Sequence, residues 1–215
     1  MKFFRFDFLD LACRQTGLIL SRKANGFSLI ELMVAVGILI LINTMIFAKY
    51  PEFSQKMALK RTSEEIALTA RHAQAYALGI KRSASIGGDY FGFGIHFDKS
   101  VSNQKSLILF TDFGQGNSQP NKQYDGRGGC GQPQTECFQE FKIDTGDYIS
   151  NLECDSCSGS VDKLDIVYPR ATSIAAISAD GIVCGSCSYS TVTIKSPGGK
   201  EKYIKIWISG QISVE

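Results

Sequence analysis

An α+β fold, one long N-terminal helix packed on an antiparallel β-sheet, follows from three observations on this 215-residue chain. The stretch from Phe27 to Ala48 is apolar apart from Glu31. A second stretch repeats small apolar residues at helical spacing, through Ile66, Ala70, Ala73, Ala77 and Ile80. From Ser83 the pattern changes to period two and short apolar runs divided by turn residues, which is the signature of strands.

The first element, residues 27–48, holds 22 residues with Glu31 as its only ionisable side chain. At about 1.5 Å per residue a helix of that length spans roughly 33 Å, enough for the hydrocarbon core of a bilayer. A carboxylate near one end of such a helix is costly in lipid and calls for a partner. Arg22 and Lys23 precede the run and its far side is less basic. The positive-inside rule then keeps residues 1–26 in the cytoplasm and exports the remainder, a single-pass arrangement in the inner membrane. A secretory signal peptide would have a shorter apolar core ending in a small-residue cleavage site, and none follows Ala48. A plain signal anchor would need neither Gly26 nor Glu31.

Residues 49–80 form the second element, an amphipathic stem. Pro51 interrupts the helix by removing a backbone donor. The helical pattern then resumes, with the small-residue stripe on one face and Arg61, Glu64, Glu65 and Arg71 on others. Gly79 stands where a helix stop is expected. Residues 81–215 make the β-rich globular domain. Tyr90–Phe97 and Ser106–Thr111 read as a first strand pair, followed by Gln139–Ile143, Lys163–Pro169, Ser173–Ser178, Ser188–Lys195 and Tyr203–Ser209. Pro197-Gly198-Gly199 marks a hairpin turn between the last two. Residues 112–136, rich in Gly, Gln, Asn and Pro, read as a surface loop or an insertion clipped by Cys130 and Cys137.

The net charge of +2 comes from the N-terminal 26 residues, which hold five Lys or Arg against two acids. The remainder carries 18 bases against 19 acids, so no bulk attraction to nucleic acid follows. Beyond Cys13 there are six cysteines: Cys130, Cys137, Cys154, Cys157, Cys184 and Cys187. An even count outside the membrane suits three disulfides. Cys154-x-x-Cys157 and Cys184-x-x-Cys187 also have the spacing of a zinc ribbon, a reading the exported topology disfavours without eliminating. Six cysteines allow 15 connectivities, and spacing does not choose among them.

Other chemistry is sparse. His72 reads as a solvated helix residue and His96 as a strand-face residue, with no Ser or Cys pattern for a triad beside either. Gly92-Phe93-Gly94 lacks the later glycine and helix start of a nucleotide loop. Asp112, Asn117 and Asp125 offer hard oxygen ligands for calcium, but not at the compact spacing of a calcium loop. The expectation is a protein without cofactor or active site.

The basic pair, Gly26-Phe27, Ser28-Leu29-Ile30-Glu31-Leu32 and the apolar helix behind them resemble the class III signal of type IV pilins and type II secretion pseudopilins. The resemblance implies a pilin-like fold. It also implies cleavage between Gly26 and Phe27 by a prepilin peptidase that methylates the new N-terminal Phe27, leaving 189 residues with Glu31 fifth. The partners implied are other pilin-like subunits, met through the N-terminal helix, and an inner-membrane assembly platform. The destination implied is a filament or the cell surface. Glu31 would meet the freed amine of a neighbouring subunit and set the register of assembly. Ala70-Arg71-His72-Ala73-Gln74-Ala75 resembles the corresponding helix of FimT-like minor pilins and H-type pseudopilins. The 26-residue leader departs from the family in being long and apolar. Two alternatives stand beside a structural subunit: a filament-borne module that binds DNA or surfaces, and a membrane-anchored zinc or redox protein. The first would need a basic cluster near the C-terminus, and the tail after Trp207 has none.

Overall fold

Ser28 sets the start of the helix: its carbonyl accepts from the amides of Glu31 at 3.0 Å and Leu32 at 3.2 Å. Glu31 stands in the first turn, where a carboxylate offsets the positive end of the helix dipole. This geometry comes from a computed structural model, which describes residues 26–79, 90–113, 121–126, 129–130, 132, 135–157 and 159–215. Helix α1 spans Leu29–Leu78, 50 residues, and closes on a bond from the Gly79 amide to the Ala75 carbonyl of 2.8 Å. The chain divides into two compact units, Met1–Ile46 and Phe47–Glu215.

In the first unit every described residue is exposed, including Leu29, Ile30, Leu32, Leu39, Ile40 and Leu41. This portion of α1 is long and apolar enough to cross a membrane.

In the second unit α1 continues through Pro51, where an interruption was expected. Proline takes one amide from the helical ladder, and the turns on either side are regular enough to carry the helix past it. From Leu59 the helix buries Leu59, Ile66, Ala67, Ala70, Ala73 and Ala77, the predicted stripe up to Ile80, which lies outside the described residues. Small side chains there let the helix backbone come close to the strands beneath it.

Among the described residues ten strands follow: β1 (Tyr90–Asp98), β2 (Ser106–Phe113), β3 (Cys137–Lys142), β4 (Tyr148–Cys154), β5 (Lys163–Pro169), β6 (Ala176–Ala179), β7 (Ile182–Val183), β8 (Tyr189–Lys195), β9 (Glu201–Trp207) and β10 (Ile212–Val214). They form two antiparallel sheets where the sequence suggested one: a six-stranded sheet ordered β3-β2-β1-β5-β6-β7 and a four-stranded sheet ordered β10-β9-β8-β4. Strand β4 completes the second sheet at its edge by pairing with β8, with Leu152 opposite Val192. The Ser173–Ser178 strand begins instead at Ala176, because the Ala175 amide bonds the Ile208 carbonyl at 2.7 Å, beyond the end of β9.

Alternating residues of both sheets meet the helix in one apolar cluster: Phe93, Ile95 and Phe97 of β1, Ile166 and Tyr168 of β5, Val192 and Ile194 of β8, Ile204 and Ile206 of β9. Burying each such large side chain stabilises by roughly 1.5–3 kcal/mol. Polar fasteners fix the helix lengthwise. Thr62 donates to the buried carboxylate of Asp147 at 2.8 Å, the Ala171 amide donates to the Ala77 carbonyl at 3.0 Å, and Tyr76 meets Phe93 and Phe138 edge-on at 5.5 and 5.9 Å.

The opposite face of the six-stranded sheet is also covered. Residues 121–126 lie over it, with Tyr124 4.9 Å from the His96 ring and 5.4 Å from that of Phe110. Phe110 in turn lies across Gly94, where a Cβ would fall 2.6 Å from the ring. A glycine is required there by contact, not by backbone angle.

Candidate functional site

Three groups of residues were singled out by the sequence, and the structure places them apart in the chain. The first is Gly26, Phe27 and Glu31. Gly26 and Phe27 precede α1 and are exposed, Phe27 with 80% of its surface accessible, as a peptidase substrate needs. Glu31 is exposed on the first helical turn and has no ion-pair partner among the described residues. A carboxylate so placed beside Leu29, Ile30, Leu32 and Met33 is available to a cation from another chain. The rest of the leader, residues 1–25, lies outside the described residues.

The second group is the cysteines. Cys130 and Cys137 form a disulfide that clips the end of the 112–136 segment to the start of β3. Cys154 and Cys187 form another. The third expected bridge is absent: Cys157 and Cys184 are free thiols, with their sulfurs 3.3 Å apart. Backbone pairing explains the convergence. Cys154 ends β4 opposite Ser190 of β8, so the turn after β4 and the turn before β8 lie side by side. The Cys154 carbonyl accepts from the Cys157 amide at 3.1 Å, closing the first turn. The Asp155 carboxylate accepts from the Ser188 amide at 2.9 and 3.0 Å and so ties the first turn to the second. The four sulfurs all lie within 4.8 Å of one another. Burial, then the neighbouring Cys184, Asp180 and Asp155, push the Cys157 thiol up to about 11, so by itself it is protonated at neutral pH. Asp155 and Ser156 were not foreseen, since nothing in a single sequence marks a residue between two cysteines as a strut.

The third group, the calcium candidates, is dispersed. Asp112 is part of β2 and fully buried. Its two carboxylate oxygens accept from the backbone amides of Asn121 at 3.2 Å and Lys122 at 2.9 Å. Asp125 accepts from the Asn121 side chain at 2.8 Å, and its amide donates to the Glu136 carboxylate at 2.7 Å. Asn117 lies outside the described residues. These acids secure segment 121–126 to the sheet. Burial raises Asp112 to about 6, against the pull of the Lys122 and Asn121 amides. Burial, with Asp125, Asp112 and Asp165 adding to it against the Asp125 amide, raises Glu136 to about 7.

His96, read as a strand-face residue, is buried against Asp165 with Nδ1 to Oδ1 at 2.6 Å. Strand β1 pairs with β5 so that these two residues are directly opposite, a cross-strand contact that needs the register to be seen. His72 is exposed and lies against Tyr76.

Against known proteins, no curated protein and no solved structure matches the chain. Among protein families, residues 21–42 match the prokaryotic N-terminal methylation motif. That match spans the basic pair, Gly26, Phe27, Glu31 and the first part of α1. This motif, a class III signal peptide, stands at the head of an apolar helix, and antiparallel sheets follow it in the sequence.

Proposed function

We propose that the chain is a minor pilin or pseudopilin, cut between Gly26 and Phe27, methylated on Phe27 and built into a type IV pilus, competence or type II secretion filament. The observation that carries this reading is the methylation motif at residues 21–42 continuing into a helix whose apolar residues are all exposed up to Ile46. An apolar surface of that length is unfavourable in water. It is suited first to lipid and then to the core of a bundle of like helices, so assembly exchanges one apolar environment for another.

Register comes from charge. A lone carboxylate in an apolar core needs a compensating cation, and the amine freed at Phe27 supplies one on every subunit. The ordering role of the pair is specificity more than net stability. The rest of the protein serves as a non-catalytic head, exported while residues 1–26 stay in the cytoplasm. Mass spectrometry of the chain from its native membrane tests the reading: a mature N-terminal methyl-Phe27 is the expected species. An intact leader, or a cut beyond Ala48, overturns it.

A further inference from the structure

We propose that Cys154, Cys157, Cys184 and Cys187 form a tetrathiolate site for a zinc ion that ties the two sheets together. The reading begins from the mutual approach of all four sulfurs, within 4.8 Å of one another. Two disulfides require only that sulfurs approach in pairs. Here Cys184 lies 3.3 Å from Cys157 and also 3.7 Å from Cys154. A tetrahedral ion with Zn–S bonds of about 2.3 Å holds its sulfurs roughly 3.8 Å apart, close to the separations of Cys184 from Cys157 and Cys154. The Cys154–Cys187 disulfide engages half of the set and leaves two thiols in contact. One zinc ion accounts for all four.

The surroundings are built for such a site. The first pair sits in a tight turn closed by the Cys157 amide on the Cys154 carbonyl, and the second flanks the bend at Gly185 and Ser186. The two turns are held together without the ion by Asp155 and the Ser188 amide. The Ser156 hydroxyl donates to the Cys187 sulfur at 3.0 Å, the kind of outer contact that orients a thiolate ligand. Location gives the ion its purpose. Cys184 follows β7, the last strand of the six-stranded sheet, while Cys154 ends β4 and Cys187 precedes β8, both in the four-stranded sheet. The hard-ligand alternative is a poor match, because calcium and magnesium prefer oxygen donors and zinc prefers sulfur.

Loading involves no electron transfer: four thiols and Zn²⁺ give a zinc tetrathiolate and four released protons. The disulfide is the two-electron oxidised form of two of the same thiols, so the bridged and metallated states exclude each other.

The full chain, extracted in detergent from the membrane without reductant or chelator, decides between them. The expected result is about one zinc per chain by elemental analysis, with these four cysteines alkylated only after a chelator is added. Exchange with cobalt gives the intense absorption of a tetrahedral thiolate site. Cys157→Ser lowers metal content at least tenfold, whereas a Cys154–Cys187 bridge would be indifferent to it. Should that variant fail to fold, Ser156→Ala keeps all four ligands and weakens zinc binding roughly 10- to 100-fold. A zinc-free protein with a mapped Cys154–Cys187 peptide overturns the proposal, as does zinc content unchanged by either substitution. Neither result bears on cleavage at Gly26, so the two readings fail separately.

Discussion

The two stretches of α1 are written in different residues. Up to Ile46 the helix is made of Leu, Ile, Val and Met, with side chains from 46% exposed at Val36 to 76% at Leu29. From Leu59 onward the buried positions are Thr62, Ser63, Ala67, Thr69, Ala70, Ala73 and Ala77, with Leu59 and Ile66 as the large members. Bulky apolar residues with no cover from their own chain belong to a surface that finds its cover elsewhere. Small residues belong to a surface whose neighbour is already present and close. One helix therefore shows, from the size of its apolar residues, which part is completed within the chain and which by lipid or other subunits.

Substitutions at matched positions separate these roles. Glu31→Ala in the first stretch leaves cleavage at Gly26 intact. Removing one partner of a buried ion pair costs about 3–5 kcal/mol, so the filament-borne fraction, read by immunoblot against the membrane fraction, falls by well over tenfold. The melting transition of the head stays where it was. If incorporation is unchanged, the register role of Glu31 is wrong.

Ala73→Leu reverses the pattern. It forces a large side chain into a fully buried position and costs about 1–3 kcal/mol of stability, seen as a lowered melting temperature by circular dichroism. Ala35→Leu, at an exposed position of the first stretch, does not move the melt. Equal effects of the two would erase the distinction between the stretches. Thr62→Val strips one donor from buried Asp147, which keeps Thr145 at 2.6 Å, and lowers stability by about 1–3 kcal/mol in the same assay.

A smaller effect is expected from pH. Asp112 and Glu136 have folded-state values raised above the ordinary carboxylate range, so between about pH 4 and 7 the folded protein binds more protons than the unfolded chain. Stability contributed by these groups is complete in acid and declines as pH rises through that window. Hydrogen exchange in residues 121–126 should quicken more than the global rate over the same range, and Glu136→Gln should flatten the trend. Glu52→Gln is the smallest change. Glu52 contacts Lys200 at 2.7 Å and Lys56 at 3.4 Å on an exposed surface where ion pairs are screened, and its loss is expected to leave the melt within error.

Much of this architecture was legible because it rests on local pattern. The small-residue stripe identifies the buried helix face, and Lys163–Pro169 is read with the bounds that β5 has. Strand β4 was missed because Ser150, Asn151 and Glu153 dilute its apolar residues and a register shift between Ile149 and Asn151 breaks the alternation. Strands β7 and β10, of two and three residues, are too short to show a period. With β4 and β10 unread, the β8–β9 hairpin does not stand out as a sheet of its own, which is why one sheet was expected. The candidate site divides in the same way. Gly26, Phe27 and Glu31 are contiguous and readable, whereas the meeting of the four cysteines is set by β4–β8 pairing across a separation of 33 residues. Spacing within each C-x-x-C says nothing about that meeting. Asp112, expected in a loop, lies in β2 with its carboxylate on the Asn121 and Lys122 amides, a placement that only the hydrogen bonds reveal.

The fasteners along the buried part of α1 have a mechanical consequence. Thr62 to Asp147, Gln74 to the Gly210 carbonyl and Ala77 to Ala171 are spread over four turns of helix and reach three separate places in the β-domain. A tug delivered along the rod is borne by all of them in shear, together with the apolar contacts between, and no single bond has to carry the load. A domain attached in this manner can bear axial load without the rod sliding out of its socket.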